Sequence, residues 1–289
     1  MLIIGDSEFS EAGDAGRVIA QAQTDPSVAR SSTDCAAQDA QQVPAAGSLY
    51  VLQCEMAVVS PKVAAVVGSG ASTTCAIVLL WDSATKLCTV AHLDGSDTEG
   101  TLRAMLEPHD PTHALQLHLG GSYADENGKG AELLLEILQP LLLAPARVIL
   151  MTACVGAVNT VPGAHTGGRY THARPRQTAF ALDLHSGTFF PAAFESRGPM
   201  HELRSLRFLR CGAPDRYPNV IDSKSGCFVI QPFQYERFAE DVIKMGITCS
   251  DARLLQMLST SPHCEPPEFC DDLRGAFRFM LTNPQFPGP

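Results

Sequence analysis

The 289-residue chain has little positive charge: 21 Lys and Arg stand against 31 Asp and Glu, a formal charge of −10 at pH 7. Holding nucleic acid by phosphate neutralisation needs the opposite balance, so no nucleic-acid partner is expected. Long apolar runs are lacking too. The most hydrophobic stretch, Ala131 to Val158, is broken by Glu136, Pro140, Pro145 and Arg147. No run approaches the roughly 20 apolar residues of a membrane span, and no membrane partner is expected. A basic leader is missing: Met1 to Ala46 holds seven acids and two arginines, unlike secretory or organellar presequences. There is no CxxC, no HExxH and no compact Cys/His cluster, so neither a metal nor another cofactor is expected. The ten cysteines are scattered along the chain and read as reduced thiols.

What is present is 45% apolar residues, enough for a sizeable core. Residues 1–48 read as a strand at Leu2 to Ile4 plus a variable, partly flexible segment: Ser7 to Gly47 is rich in Ala, Gln, Ser and Asp without sustained periodicity. A single domain is expected over 49–289. Its strand candidates are Leu49 to Val59, Ala76 to Trp81, Leu87 to Leu93, Ala114 to Leu119, Arg147 to Val155, Thr178 to Leu184, Thr188 to Phe194 and Cys227 to Pro232. Helical spacing marks Lys129 to Leu138, a segment from Pro199, Asp251 to Leu258 and Pro267 to Leu281. Strands with intervening helices and no regular βαβ alternation give an α+β class. Arg204, Arg207 and Arg210 at three-residue spacing read as a solvated helix face.

The chemistry starts from the hairpin at Ala76 to Leu93. Centred between Ser83 and Ala84, it sets Cys75 opposite His92, and directly opposed side chains have Cβ atoms roughly 4.5 to 5.5 Å apart. An imidazole there would draw the thiol proton and lower the thiol pKa, a nucleophile and base pair. The preceding segment Gly68-Ser69-Gly70-Ala71-Ser72-Thr73-Thr74 is small and hydroxylic, fit to present backbone N–H groups as an oxyanion hole. It lacks the Lys of a phosphate-binding loop, which argues against nucleotide binding.

With LYVLQCEMAVVSP, VGSGASTTC, VAHLDGSD, LQLHLGGSY and LSTSPHCEPPEF in this order, the sequence from about Leu49 onward resembles the protein N-terminal asparagine amidohydrolase family. The resemblance implies an α-β-β sandwich of the cysteine deamidase type, shared with chemoreceptor glutamine deamidases and cytotoxic necrotizing factor. It implies Cys75 as nucleophile, His92 as base and Ser69 as the residue that orients the imidazole, with Ser96 and Ser261 competing for that last role. The implied reaction converts the N-terminal Asn of a protein or peptide to Asp, releasing ammonia through a thioester. It would feed the arginylation branch of N-degron degradation in cytoplasm and nucleus, and a monomer is expected.

Reading a free terminus requires a carboxylate for the α-ammonium, and Asp94, Glu55 and Glu265 are the candidates. Thr74 and Cys75 supply the expected oxyanion amides, Ser261 is a further substrate contact, and Gly120-Gly121 are expected to allow close substrate approach. His118 is expected to be a packing residue. A deamidase of protein Gln or internal Asn, or a non-catalytic module binding peptide termini, are the alternative functions.

Overall fold

The computed structural model describes residues 1–166, 169–207, 217–233 and 237–284. In chain order, the strands that position the site are β1 (Leu2–Ile4), β2 (Ser7–Phe9), β3 (Gln41–Val43), β4 (Ser48–Tyr50), β5 (Met56–Val59), β6 (Val66–Ser69), β7 (Ala76–Asp82), β8 (Cys88–Leu93), β9 (Ala114–Tyr123), β10 (Arg147–Gly156), β11 (Phe180–Asp183) and β12 (Phe189–Phe194). The helices are α1 (Ala15–Thr24), α2 (Pro26–Ala37), α3 (Thr98–Leu106), α4 (Lys129–Leu142), α5 (His201–Ser205), α6 (Glu240–Thr248), α7 (Asp251–Leu258) and α8 (Phe269–Thr282).

Strands β7 and β8 are buried at every residue because each of their faces meets a different layer. Ala76, Val78, Leu80, Ala91 and Leu93 join a core with Leu102 and Met105 of α3 and Leu133, Ile137 and Leu141 of α4. The alternate residues Ile77, Leu79, Trp81 and Val90 join a second core with Val67 of β6 and Phe180 and Leu182 of β11. The result is three layers: helices, a seven-stranded sheet ordered β2-β1-β10-β9-β7-β8-β5, and a five-stranded sheet ordered β3-β12-β11-β6-β4. The α+β class holds. Helices α5 to α8 add a separate core of Leu206, Ile243, Leu254, Ala276, Phe277 and Met280. Among the described residues no helix is long and apolar enough to cross a membrane.

Several expectations need correction. The segment from Ser7 to Gly47 is not loosely packed: α1 buries Val18, α2 buries Val28 and Cys35, and Asp25 caps α2 by accepting from the Ser27 and Val28 amides. Leu49 to Val59 is not one strand, because the chain turns at residues 51–55 with Cys54 at φ 62°. Cys227 to Pro232 contributes only an isolated bridge between Ile221 and Phe228. Arg204 and Arg207 are buried rather than solvated, and Arg210 lies outside the described residues. The nine cysteines among the described residues form no disulfide with one another.

The hairpin register also differs. Asp82 accepts from the Ala84 amide and the Thr85 hydroxyl, and Lys86 closes the turn at φ 63°, so the loop spans four residues. Trp81 pairs with Cys88 and Ile77 with His92, a slip of two positions from the expected pairing. A slip of two keeps every side chain on its own face. His92 and Cys75 therefore stay on one side of the sheet, in diagonal rather than direct opposition, a spacing of roughly 7 to 8 Å that long side chains span.

Candidate active site

Cys75 precedes β7, and its carbonyl is held by the Ser72 hydroxyl at 2.7 Å, the Ser122 amide at 2.7 Å and the Ser122 hydroxyl at 3.1 Å. Gly121, at φ 91°, passes so close to Ser72 and the Cys75 carbonyl that a Cβ there would collide with both. Ala71 occupies the left-handed region at φ 58°, which turns the loop before the cysteine. Among the described residues the amides of Thr74 and Cys75 donate to no protein acceptor. The thiol is half-buried and opens onto a cavity of about 550 Å³.

His92 lines the same cavity and is 1% exposed. Its Nδ1 lies 2.8 Å from the Ser69 hydroxyl, which lies 2.6 Å from the Val51 carbonyl. A carbonyl only accepts, so the single hydroxyl proton of Ser69 goes to Val51, and Ser69 accepts from Nδ1–H. This assigns the tautomer: Nε2 carries the lone pair, and it has no hydrogen-bond partner among the described residues. Burial lowers the His92 pKa to about 4, against a smaller opposing effect of the Asp94 charge. Burial, then the charges of Asp94 and Glu265, push the Cys75 thiol up. Both shifts favour the uncharged forms, thiol and imidazole, whereas the sequence reading expects a lowered thiol pKa.

The three candidate carboxylates occupy different surroundings. Asp94 lines the cavity but receives five donors, from Gln53, Cys54, Tyr217 and both the amide and hydroxyl of Ser96. Burial would raise its pKa; these hydrogen bonds outweigh it and hold the carboxyl well below the usual range. Glu55 does not line the cavity: its carboxylate is buried against Arg204 and Arg207. Glu265 lines the cavity, and its Oε1 accepts from the Ser259 and Ser261 hydroxyls, while it makes no ion pair among the described residues. Burial raises its pKa.

Across the family comparison, the model of the protein N-terminal asparagine amidohydrolases matches residues 38–287. The chain belongs to this family. A Sus scrofa protein N-terminal asparagine amidohydrolase is 30% identical over 264 residues, spanning 87% of this chain and 81% of the relative. The Mus musculus protein of that name is 29% identical, over 87% and 79%, and the Arabidopsis thaliana one 23% identical, over 82% and 74%. The chain is thus an amidohydrolase, and the matched region begins directly after α2 ends at Ala37.

In this amidohydrolase Cys75, His92, Thr74, Asp94, Ser96 and Glu265 surround one cavity. Ser69 alone of the three candidate serines touches His92; the Ser96 hydroxyl goes to Asp94 and Tyr217, and Ser261 lies 2.8 Å from Thr73 Oγ1. Gly120 is not at the cavity: its missing side chain makes room for the Phe180 ring in the core between the sheets. His118 packs in that core, its ring stacked on Phe189 at 5.1 Å. Sequence reasoning missed Tyr50, a buried residue of the cavity wall. It also missed Tyr217, whose hydroxyl lies 2.5 Å from Asp94. No local signal marks either, since both reach the site through long-range packing. Among the described residues no group of three His, Cys, Asp or Glu side chains forms a metal site.

Proposed function

We propose that the protein hydrolyses the side-chain amide of an N-terminal Asn in proteins or peptides, giving Asp and ammonia through a thioester on Cys75. The observation that carries this reading is the unpartnered Nε2 of His92, buried beside the cavity that holds Cys75 and aligned by Ser69. As the sulfur attacks the carboxamide carbon, its proton passes to Nε2, and the amides of Thr74 and Cys75 hold the developing oxyanion. His92 then protonates the departing amine. Water adding to the thioester carbon gives its proton to the same nitrogen, the carbon–sulfur bond breaks, the departing sulfur takes that proton back from His92, and the product leaves as carboxylate.

Glu265 receives the α-ammonium in this scheme, since Asp94 and Glu55 have their oxygens engaged. An arriving ammonium offsets one of the two negative charges that hold the proton on Cys75, so the terminus that is recognised also eases thiol ionisation. A deamidase of internal Asn would have no use for such a carboxylate. The helix-sheet-sheet layering and the Cys–His–Ser geometry support kinship with the cysteine deamidases, and action on N-degron substrates in cytoplasm and nucleus follows from the same reading. Mass spectrometry of an Asn-initiated peptide, with ammonia release in parallel, tests it. Conversion by the wild type, none by Cys75→Ser and none with an acetylated terminus is expected; turnover by Cys75→Ser sinks the proposal.

A further inference from the structure

The Glu55 side chain makes no contact with the His92 imidazole, although the two residues are joined through the main chain. Its carboxylate is fully buried and accepts from Arg204 Nε at 3.0 Å, Arg204 Nη2 at 2.6 Å and Arg207 Nη1 at 2.5 Å, and from the Leu52 amide at 2.9 Å. Arg204 also donates to the carbonyls of Tyr50 and Arg197, and Arg207 to that of Gln231. Together they clamp the turn at residues 51–55, whose Cys54 stands at φ 62°. That turn grips His92 from three sides. The Cys54 amide donates to the His92 carbonyl at 3.1 Å, the His92 amide donates to the Glu55 carbonyl at 3.2 Å, and the Val51 carbonyl takes the Ser69 proton that sets the imidazole.

We infer that Glu55, clamped by Arg204 and Arg207, is a positioning residue for His92, through which the segment carrying α5 sets the geometry of the catalytic base. The inference rests on His92 being that base. A buried charge cluster is a poor source of stability compared with apolar packing of the same volume, and its attested use is to specify one arrangement. Here the arrangement specified is a strained turn that ends on the two backbone groups of His92 and on its Ser69 anchor. None of the three charged residues lines the cavity, so substrate has no direct contact with them.

The test is a split of kinetic constants on Asn-initiated peptide. Glu55→Gln, folded by circular dichroism, is expected to lose kcat by about 10- to 100-fold, as small misplacements of catalytic groups do, with KM within about threefold of wild type. Nitrogen-15 spectra of labelled His92 should show the Nδ1–H tautomer replaced by a mixture. Since Glu55→Gln leaves two guanidiniums facing a neutral partner and can fail to fold, Arg204→Lys carries the same test. It keeps the charge but cannot span both carboxylate oxygens, and an intermediate loss of kcat is expected. His92→Ala separates the two ideas: activity retained there removes the base itself. An inactive His92→Ala beside a folded Glu55→Gln or Arg204→Lys of unchanged kcat overturns the positioning role. A raised KM at constant kcat also overturns it, by placing Glu55 on the substrate.

Discussion

Glu55 and Glu265 both lie near the Cys75–His92 pair, and they are partnered by different chemistry. Glu55 meets two guanidiniums and a backbone amide, all buried. Among the described residues Glu265 meets only the hydroxyls of Ser259 and Ser261, and it faces the cavity. Hydroxyls orient a carboxylate without cancelling its charge, whereas guanidiniums cancel it and leave nothing for a ligand. The pair teaches that a carboxylate near an active site is classed by what already neutralises it, not by proximity in sequence to the nucleophile. Asp94 is a third case: two residues from His92, its oxygens are occupied by five uncharged donors, which leave its charge standing.

The comparison is sharpest at Glu265→Gln, which keeps shape and hydrogen bonds while removing charge. Losing a charged partner for an ammonium is worth about 1.5–3 kcal/mol, so kcat/KM for a free N-terminal Asn should fall roughly 10- to 100-fold. The preference for a free over an acetylated terminus should shrink by the same factor. With one negative charge gone from beside the thiol, iodoacetamide should alkylate Cys75 faster in the unliganded variant than in the wild type. A silent Glu265→Gln would break the contrast between the two glutamates.

A smaller loss is expected from Ser69→Ala, about tenfold in kcat for one neutral hydrogen bond to the imidazole, with KM little changed. Stopped assays over a range of Asn-peptide concentrations separate the two constants, and a change confined to KM would remove Ser69 from the base. A further effect concerns stability. His92, His109 and His118 are all lowered by burial to about 4 from 6.5. Between those values the unfolded chain binds protons that the folded chain does not, so stability is full above pH 6.5 and declines as pH falls toward 4. Urea titrations at pH 7 and pH 5 should show that decline, and His118→Phe, which keeps the stack on Phe189, should lessen it. An equal decline in the variant would show that His118 titrates normally.

Much of this was readable before any coordinates, for identifiable reasons. β7 and β8 are legible because burial on both faces leaves short apolar runs, set either side of a polar turn. Their register differs by two positions from the one that composition suggests, since the four-residue turn depends on Asp82 side-chain bonds that composition does not reveal. The face was still right, because alternation has period two. Helix α2 escapes a reading by periodicity although Asp25-Pro26 is an N-cap followed by a first-turn proline, a signal masked by the polar composition around it. The burial of Arg204 and Arg207 left no trace at all: three-residue spacing on a helix looks the same whether the face meets water or a glutamate 149 residues away.

The direction of proton flow in the site is settled by an acceptor that belongs to no side chain. Because the oxygen receiving the Ser69 hydrogen is the Val51 carbonyl, every amino acid at position 51 would offer it equally. Point mutation can remove the serine or the imidazole, but it cannot reverse the polarity between them; only a shift of the main chain would do that.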